Sequence, residues 1–165
     1  MLAKKSENHQ CHYLRLAIEG VFDASNRAGR WLMIIEAQTG IERTLLSIDS
    51  HLEKLVSQVE GATGAILLEA DGEAVLWYAV ANSERLRLRA AYAGVVLKSC
   101  RAVAAQTKGG GLLRLVLKYD HARLILQEID GDCFVLIELG PSSNIGEALF
   151  RLDRAVNELR GEIAR

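Results

Sequence analysis

Four histidines, three cysteines and two carboxylate pairs are the residues of this chain whose chemistry would matter most if they converged. Cys11 and His12 adjoin, and His9, His51 and His121 lie apart from one another. None of them has the i,i+4 helical spacing or the finger spacing that a zinc site requires. Asp71 with Glu73, and Asp130 with Asp132, flank Gly72 and Gly131, which brings calcium to mind. A calcium loop of the helix–loop–helix kind needs twelve residues with ligands at set positions, and neither turn has them. Hairpin turns explain both pairs. Lys108-Gly109-Gly110-Gly111 has the composition of a phosphate cradle. Phosphate loops run from a strand into a helix, whereas this stretch follows a helical pattern and precedes a strand, so it reads as a connector. Cys100 falls on an apolar helical stripe and Cys133 opens a strand, neither beside a cation that would activate a thiol. No G-x-S-x-G occurs. The expectation is a protein that is not an enzyme, with no cofactor and no metal.

Composition narrows the class. The 165 residues are 50% hydrophobic, 5% aromatic and 25% charged, with one proline. A chain of that length suits one domain and can bury about two-thirds of its unfolded surface without disulfides. Twenty Lys and Arg against 21 Asp and Glu leave a net charge of −1, so no broad field draws it to nucleic acid or an anionic membrane. Three scattered cysteines suit reduced thiols in the cytoplasm, and no apolar run approaches the roughly 18 residues of a membrane span. The apolar fraction is high for one small domain, which raises the prospect of a partner that buries the excess.

The elements that would position any site follow from periodicity. Ile41, Leu45, Ile48, Leu52, Leu55 and Val59 trace one face of a helix that stops at Gly61. Runs at 64–69 and 74–79, joined through Asp71-Gly72, predict a hairpin. A long helix is predicted over 83–106. Strands follow at 112–118, 122–128 and 133–139, too closely spaced to be anything but antiparallel. Pro141 marks a break, Asn144 with Glu147 has capping-box spacing, and Ile145, Leu149, Leu152, Val156, Leu159 and Ile163 trace a last helix. The fold class is α+β: a five-stranded antiparallel sheet sandwiched by helices, in the order α-β-β-α-β-β-β-α. Residues 1–32 share none of this patterning. They are either residues ahead of a native start at Met33 or an extension packed on the domain that spans 33–165.

The long middle helix is apolar on two sides. Leu86, Ala90, Ala93, Leu97, Cys100 and Ala104 form one stripe; Leu88, Tyr92, Val95, Val96, Ala102 and Val103 form another, roughly opposite. A helix with two apolar faces must cover two surfaces, one a sheet and the other a second subunit. Between the stripes runs a strip of Arg87, Gly94, Lys98 and Arg101, readable as a solvated edge or as a docking surface for a partner. With no aromatic stacking residue beside it, the strip is unsuited to nucleic acid.

From Ile41 onward the chain resembles the roadblock/dynein-light-chain family. The resemblance rests on Val59-Glu-Gly-Ala-Thr-Gly-Ala-Ile-Leu-Leu, on Asp71-Gly72-Glu73, on the Ala- and Val-rich middle helix, and on Gly140-Pro-Ser-Ser-Asn-Ile-Gly before the last helix. It is nearest to bacterial stand-alone members that regulate Ras-like gliding-motility GTPases. The resemblance implies a dimer, with itself or with a paralogous subunit, joined through the middle helix and the strand after it. In this sequence that interface would hold Leu88, Tyr92, Val95, Val96, Val103, Leu112, Arg114 and Val116. It also implies a small Ras-like GTPase as partner and no nucleotide site in the chain itself. Arg87, Lys98 and Arg101 are the residues expected to dock that GTPase. The alternative is a structural adaptor of a motor or membrane-associated complex, with no effect on GTP turnover and no direct membrane insertion.

Overall fold

The computed structural model describes residues 14–16 and 31–163, with side chains from residue 42 onward and at 14–16. Helix α1 spans Trp31–Gln58, followed by strands β1 (Ala62–Glu69) and β2 (Ala74–Ala79), helix α2 (Ser83–Gln106), strands β3 (Arg114–Lys118), β4 (Arg123–Asp130) and β5 (Cys133–Leu139), and helix α3 (Ile145–Ile163). The expected α+β order is therefore present. The strands form one antiparallel sheet in the order β2-β1-β5-β4-β3, with β5 at its centre and β2 and β3 at its edges.

Helix α1 begins ten residues before Ile41, where the clear period starts, and runs on through Gly40. A single glycine costs a helix only about 1 kcal/mol, which the rest of a long helix outweighs. The boundary at 32/33 thus falls inside a continuous helix; most of residues 1–32 lie outside the described residues. Strand β3 starts at Arg114 rather than at Leu112, although the Leu113 carbonyl already accepts the Glu128 N–H at 2.9 Å.

Turn and cap chemistry sets the element ends. Asn82 Oδ1 accepts the Arg85 N–H at 2.8 Å at the start of α2, and Asn144 Oδ1 accepts the N–H groups of Gly146 and Glu147 at the start of α3. Gly61 has φ +77°, and a Cβ there would lie 2.3 Å from Ser143 Oγ. Its carbonyl accepts the Gly140 N–H at 2.8 Å, which ties the end of α1 to the β5–α3 junction.

Two cores result, one on each face of the sheet. Against α1 and α3 lie Ala65, Leu67, Val135, Ile137 and Leu139 of the sheet, packed on Ile48, Leu52, Leu152, Val156 and Leu159. Against α2 lie Ile66, Leu68, Leu124, Leu126, Phe134 and Leu136, packed on Leu86, Ala90, Ala93 and Leu97. The central strand β5 is buried along its whole length, as a strand covered on both faces must be.

Candidate dimer and partner interface

Helix α2 presents its first stripe to the sheet and its second to solvent. Leu86, Ala90, Ala93, Gly94 and Leu97 are buried. Leu88, Tyr92, Val95 and Val103 are 58–68% exposed, and Val96 is 36% exposed. Five large apolar side chains in a row on one helix face form a patch, and such patches mark interaction surfaces. The outward positions are also arranged symmetrically about a point between Val95 and Val96. Leu88 mirrors Val103, Tyr92 mirrors Ser99, and Arg85 mirrors Gln106.

An open groove of about 690 Å³ runs beside this stripe, between Arg89 and Tyr92 of α2 and the β3–β4 turn from Lys118 to Ala122. Beyond it lies β3, whose outer edge has no strand beside it. The expected interface residues of this region point in different directions. Val116 is 44% exposed. Leu112 is half-buried against the α2-side core, inside the chain's own fold. Arg114 is engaged on the other face of the sheet: its guanidinium donates to Gln127 Oε1 at 2.6 and 3.0 Å and pairs with Asp153 of α3.

The basic strip is partly consumed by the fold. The Arg87 guanidinium sits 4.4 Å from the centre of the Trp77 ring on β2. Arg101 lies 5.2 Å from the Phe134 ring, donates to the Gly131 carbonyl at 2.8 Å and is 3.6 Å from Asp132. Aromatic rings do lie beside the strip, contrary to the sequence expectation; they come from the strands, and arginines already cover them. Lys98 stays exposed, bordering a cleft with Ala70, Asp71 and Arg101. Gly94 is not on a wet strip at all. A Cβ on it would lie 2.3 Å from Gly72 Cα, so the β1–β2 turn rests directly on α2 at this point. Gly72 has φ +92°, which also requires glycine there.

Sequence reasoning overlooked the ion pair that seats α2. Arg89 reaches Glu138, which is only 4% exposed, next to the last residue of β5. A lone acid within Cys-Phe-Val-Leu-Ile-Glu-Leu was the signal, since a buried carboxylate requires a partner. His51 is half-buried between α1 and α3, with Nδ1 3.0 Å from Glu158. His121 is exposed and lines the groove. Among the described residues, carboxylates converge in one place: ligating oxygens of Glu69, Asp71 and Glu73 lie within 4.8 Å of one another, and Arg15 pairs with two of them. No helix among the described residues is long and apolar enough to cross a membrane.

An antiparallel sheet with two helices on one face and one half-exposed helix on the other defines a small class of α+β domains. Its particular member here is the roadblock/LC7 fold. The chain matches the Roadblock/LC7 domain from Streptomyces avermitilis at 19% identity and a TM-score of 0.65, over 71% of this chain and 98% of that one. It matches the gliding protein MglB from Thermus thermophilus at 14% identity and a TM-score of 0.66, over 73% and 91%. MglC from Myxococcus xanthus matches at 25% identity and a TM-score of 0.52, over 70% and 98%. No family model and no curated protein matches the chain.

Proposed function

We propose that this protein is a non-catalytic, homodimeric, cytoplasmic regulator that binds a small Ras-like GTPase and modulates its nucleotide cycle. The observation that carries the reading is the outward stripe of α2, apolar and lying next to an unpaired sheet edge. Laid antiparallel on a second copy, the stripe sets Leu88 against Val103, Val95 against Val96, and bulky Tyr92 against small Ser99. Arg85 meets Gln106, so no like charges oppose. Such self-complementarity is what a two-fold interface requires, and it favours an identical partner over a paralogous one. Pairing β3 with its copy would also cover an edge that is otherwise a liability.

GTPase docking falls to the strip beside this interface. With Arg87 and Arg101 held by the fold, Lys98 is the member best able to meet an acidic surface on the GTPase. On this reading the effect on the GTPase is exerted by contact.

Light scattering on the purified protein tests the first half of the reading, with a particle of twice the chain mass expected. Measuring GTP hydrolysis and nucleotide release by small GTPases of the same cell, with and without the protein, tests the second half. Binding with altered turnover supports a regulator. Binding without it identifies a structural adaptor of a larger complex, and a monomer that binds nothing sinks the proposal.

A further inference from the structure

Residues 14–16 are helical, and they meet the domain through both an apolar and a charged side chain. Leu14 packs against the core between the sheet and helices α1 and α3. Arg15 Nη1 lies 3.3 Å from Glu69 Oε2 and also pairs with Glu73, and its side chain is only 19% exposed.

The carboxylates that receive Arg15 are held by the hairpin itself. Glu69 ends β1 at 8% exposure, and its carbonyl accepts the Gly72 N–H at 2.9 Å. Asp71 Oδ1 accepts the Glu73 N–H at 3.0 Å, and the Ala70 N–H bonds the Asp132 carbonyl at 2.9 Å. These bonds fix the backbone positions from which the three acids project. Like charges held this close, one of them mostly buried, call for a counter-cation. The same turn is the one that rests on α2, through Gly72 against Ala91 and Gly94.

We propose that residues 14–16 form a latch, in which Arg15 is the built-in counter-cation of Glu69 and Glu73 and holds the β1–β2 turn on its seat against α2. Leu14 and Arg15 thus belong to the folded unit, and a chain beginning at Met33 would lack the Arg15 pairs to Glu69 and Glu73. The latch operates within one chain and requires no second copy.

Hydrogen exchange on the full-length protein tests it, since exchange reports local opening against the global fold. Arg15→Gln is expected to raise exchange at least about tenfold at residues 14–16 and in the β1–β2 turn, with β5 amides unchanged. Arg15→Glu is expected to open the same amides, and Arg15→Glu combined with Glu73→Arg to close them again. Such charge-swap rescue would not follow if Arg15 merely packed through its stem. Unchanged exchange in Arg15→Gln, or a swap that fails to restore protection, overturns the latch. If Arg15→Gln also exposes β5, then Glu73→Gln, at a side chain 58% exposed, carries the test. Wild-type exchange in that variant overturns the proposal equally.

Discussion

The two faces of the sheet are built to different plans. On one, α1 and α3 close over a cluster of twenty buried residues. On the other, α2 alone covers a cluster of ten and turns a second apolar stripe outward. The closed face buries Ile48, Leu52, Leu55, Leu152, Val156 and Leu159 of its periodic pattern. The open face has more apolar surface than its own chain covers. This difference separates what holds the domain together from what is available to a partner, and variants on the two faces should fail in different ways.

The largest effect is expected on the closed face. Leu152 of α3 is fully buried among Leu52, Val156 and the sheet. Leu152→Ala removes its contacts and leaves a cavity, at a cost of about 2–5 kcal/mol in chemical denaturation. Its particle mass by light scattering should remain that of wild type at low temperature. A loss of the dimer at full fold stability would break the distinction between the faces.

Val95→Glu should do the reverse. Val95 is 61% exposed in one chain, so a monomer tolerates the charge. In the proposed dimer two carboxylates would be buried near the two-fold axis, and Kd should rise at least about 100-fold, roughly 2.7 kcal/mol. Sedimentation would give a folded monomer, and the unfolding midpoint would lose its dependence on protein concentration. Wild-type association in this variant would place the interface elsewhere.

How much of this was legible in the sequence follows the same division. Helix α3 and strand β5 begin and end where the periodicity and turn residues place them, because α3 buries one regular stripe and β5 is an apolar run bounded by turn residues. The outward stripe of α2 was legible for the same reason, since 3.6-residue periodicity shows two faces as readily as one. What periodicity does not carry is contact between residues distant in the chain. Gly94 reads as a polar-strip residue until Gly72, twenty-two positions earlier, is seen to occupy the space its Cβ would need. Arg87 and Arg101 read as free cations until Trp77 and Phe134 appear beneath them. Arg15 lies in a stretch with no pattern, and only the fold brings it to Glu69 and Glu73.

A smaller effect sharpens the boundary between the faces at the seat of α2. Gly94→Ala adds a methyl where backbone stands 2.3 Å away, so helix and turn must separate. Overpacking of this kind costs about 1–3 kcal/mol. Because the displaced helix carries the outward stripe, dimer affinity should fall together with thermal stability. A variant that loses stability but associates normally would mean the stripe does not depend on its seat. Smaller again is Lys98→Glu, for which the fold should be indifferent and GTPase affinity should fall by about tenfold, or roughly 1.4 kcal/mol. Titration calorimetry with an unchanged affinity would return the strip to a solvated edge.

The smallest effect lies on the closed face, where Glu158 of α3 meets α1. Lys54 Nζ stands 3.1 Å from its Oε2, and this hydrogen bond holds the Glu158 carboxyl below its ordinary value of 4.5, against the opposing effect of burial. The charges of Lys54, His51 and Arg154 act in the same direction as the bond. A carboxyl whose value is lowered by folding contributes stability that is fully present above 4.5 and is lost as pH falls through the folded value. Both side chains are substantially exposed, 35% for Glu158 and 49% for Lys54, so the pair is worth at most about 1 kcal/mol. Glu158→Gln should therefore be slightly less stable than wild type at pH 6, and the difference should shrink as pH falls below 4.5 through the folded value. Its dimer affinity should match wild type throughout, because the contact lies on the face no partner needs. A difference that persists undiminished at pH 3 would show that Glu158 acts through packing instead of charge.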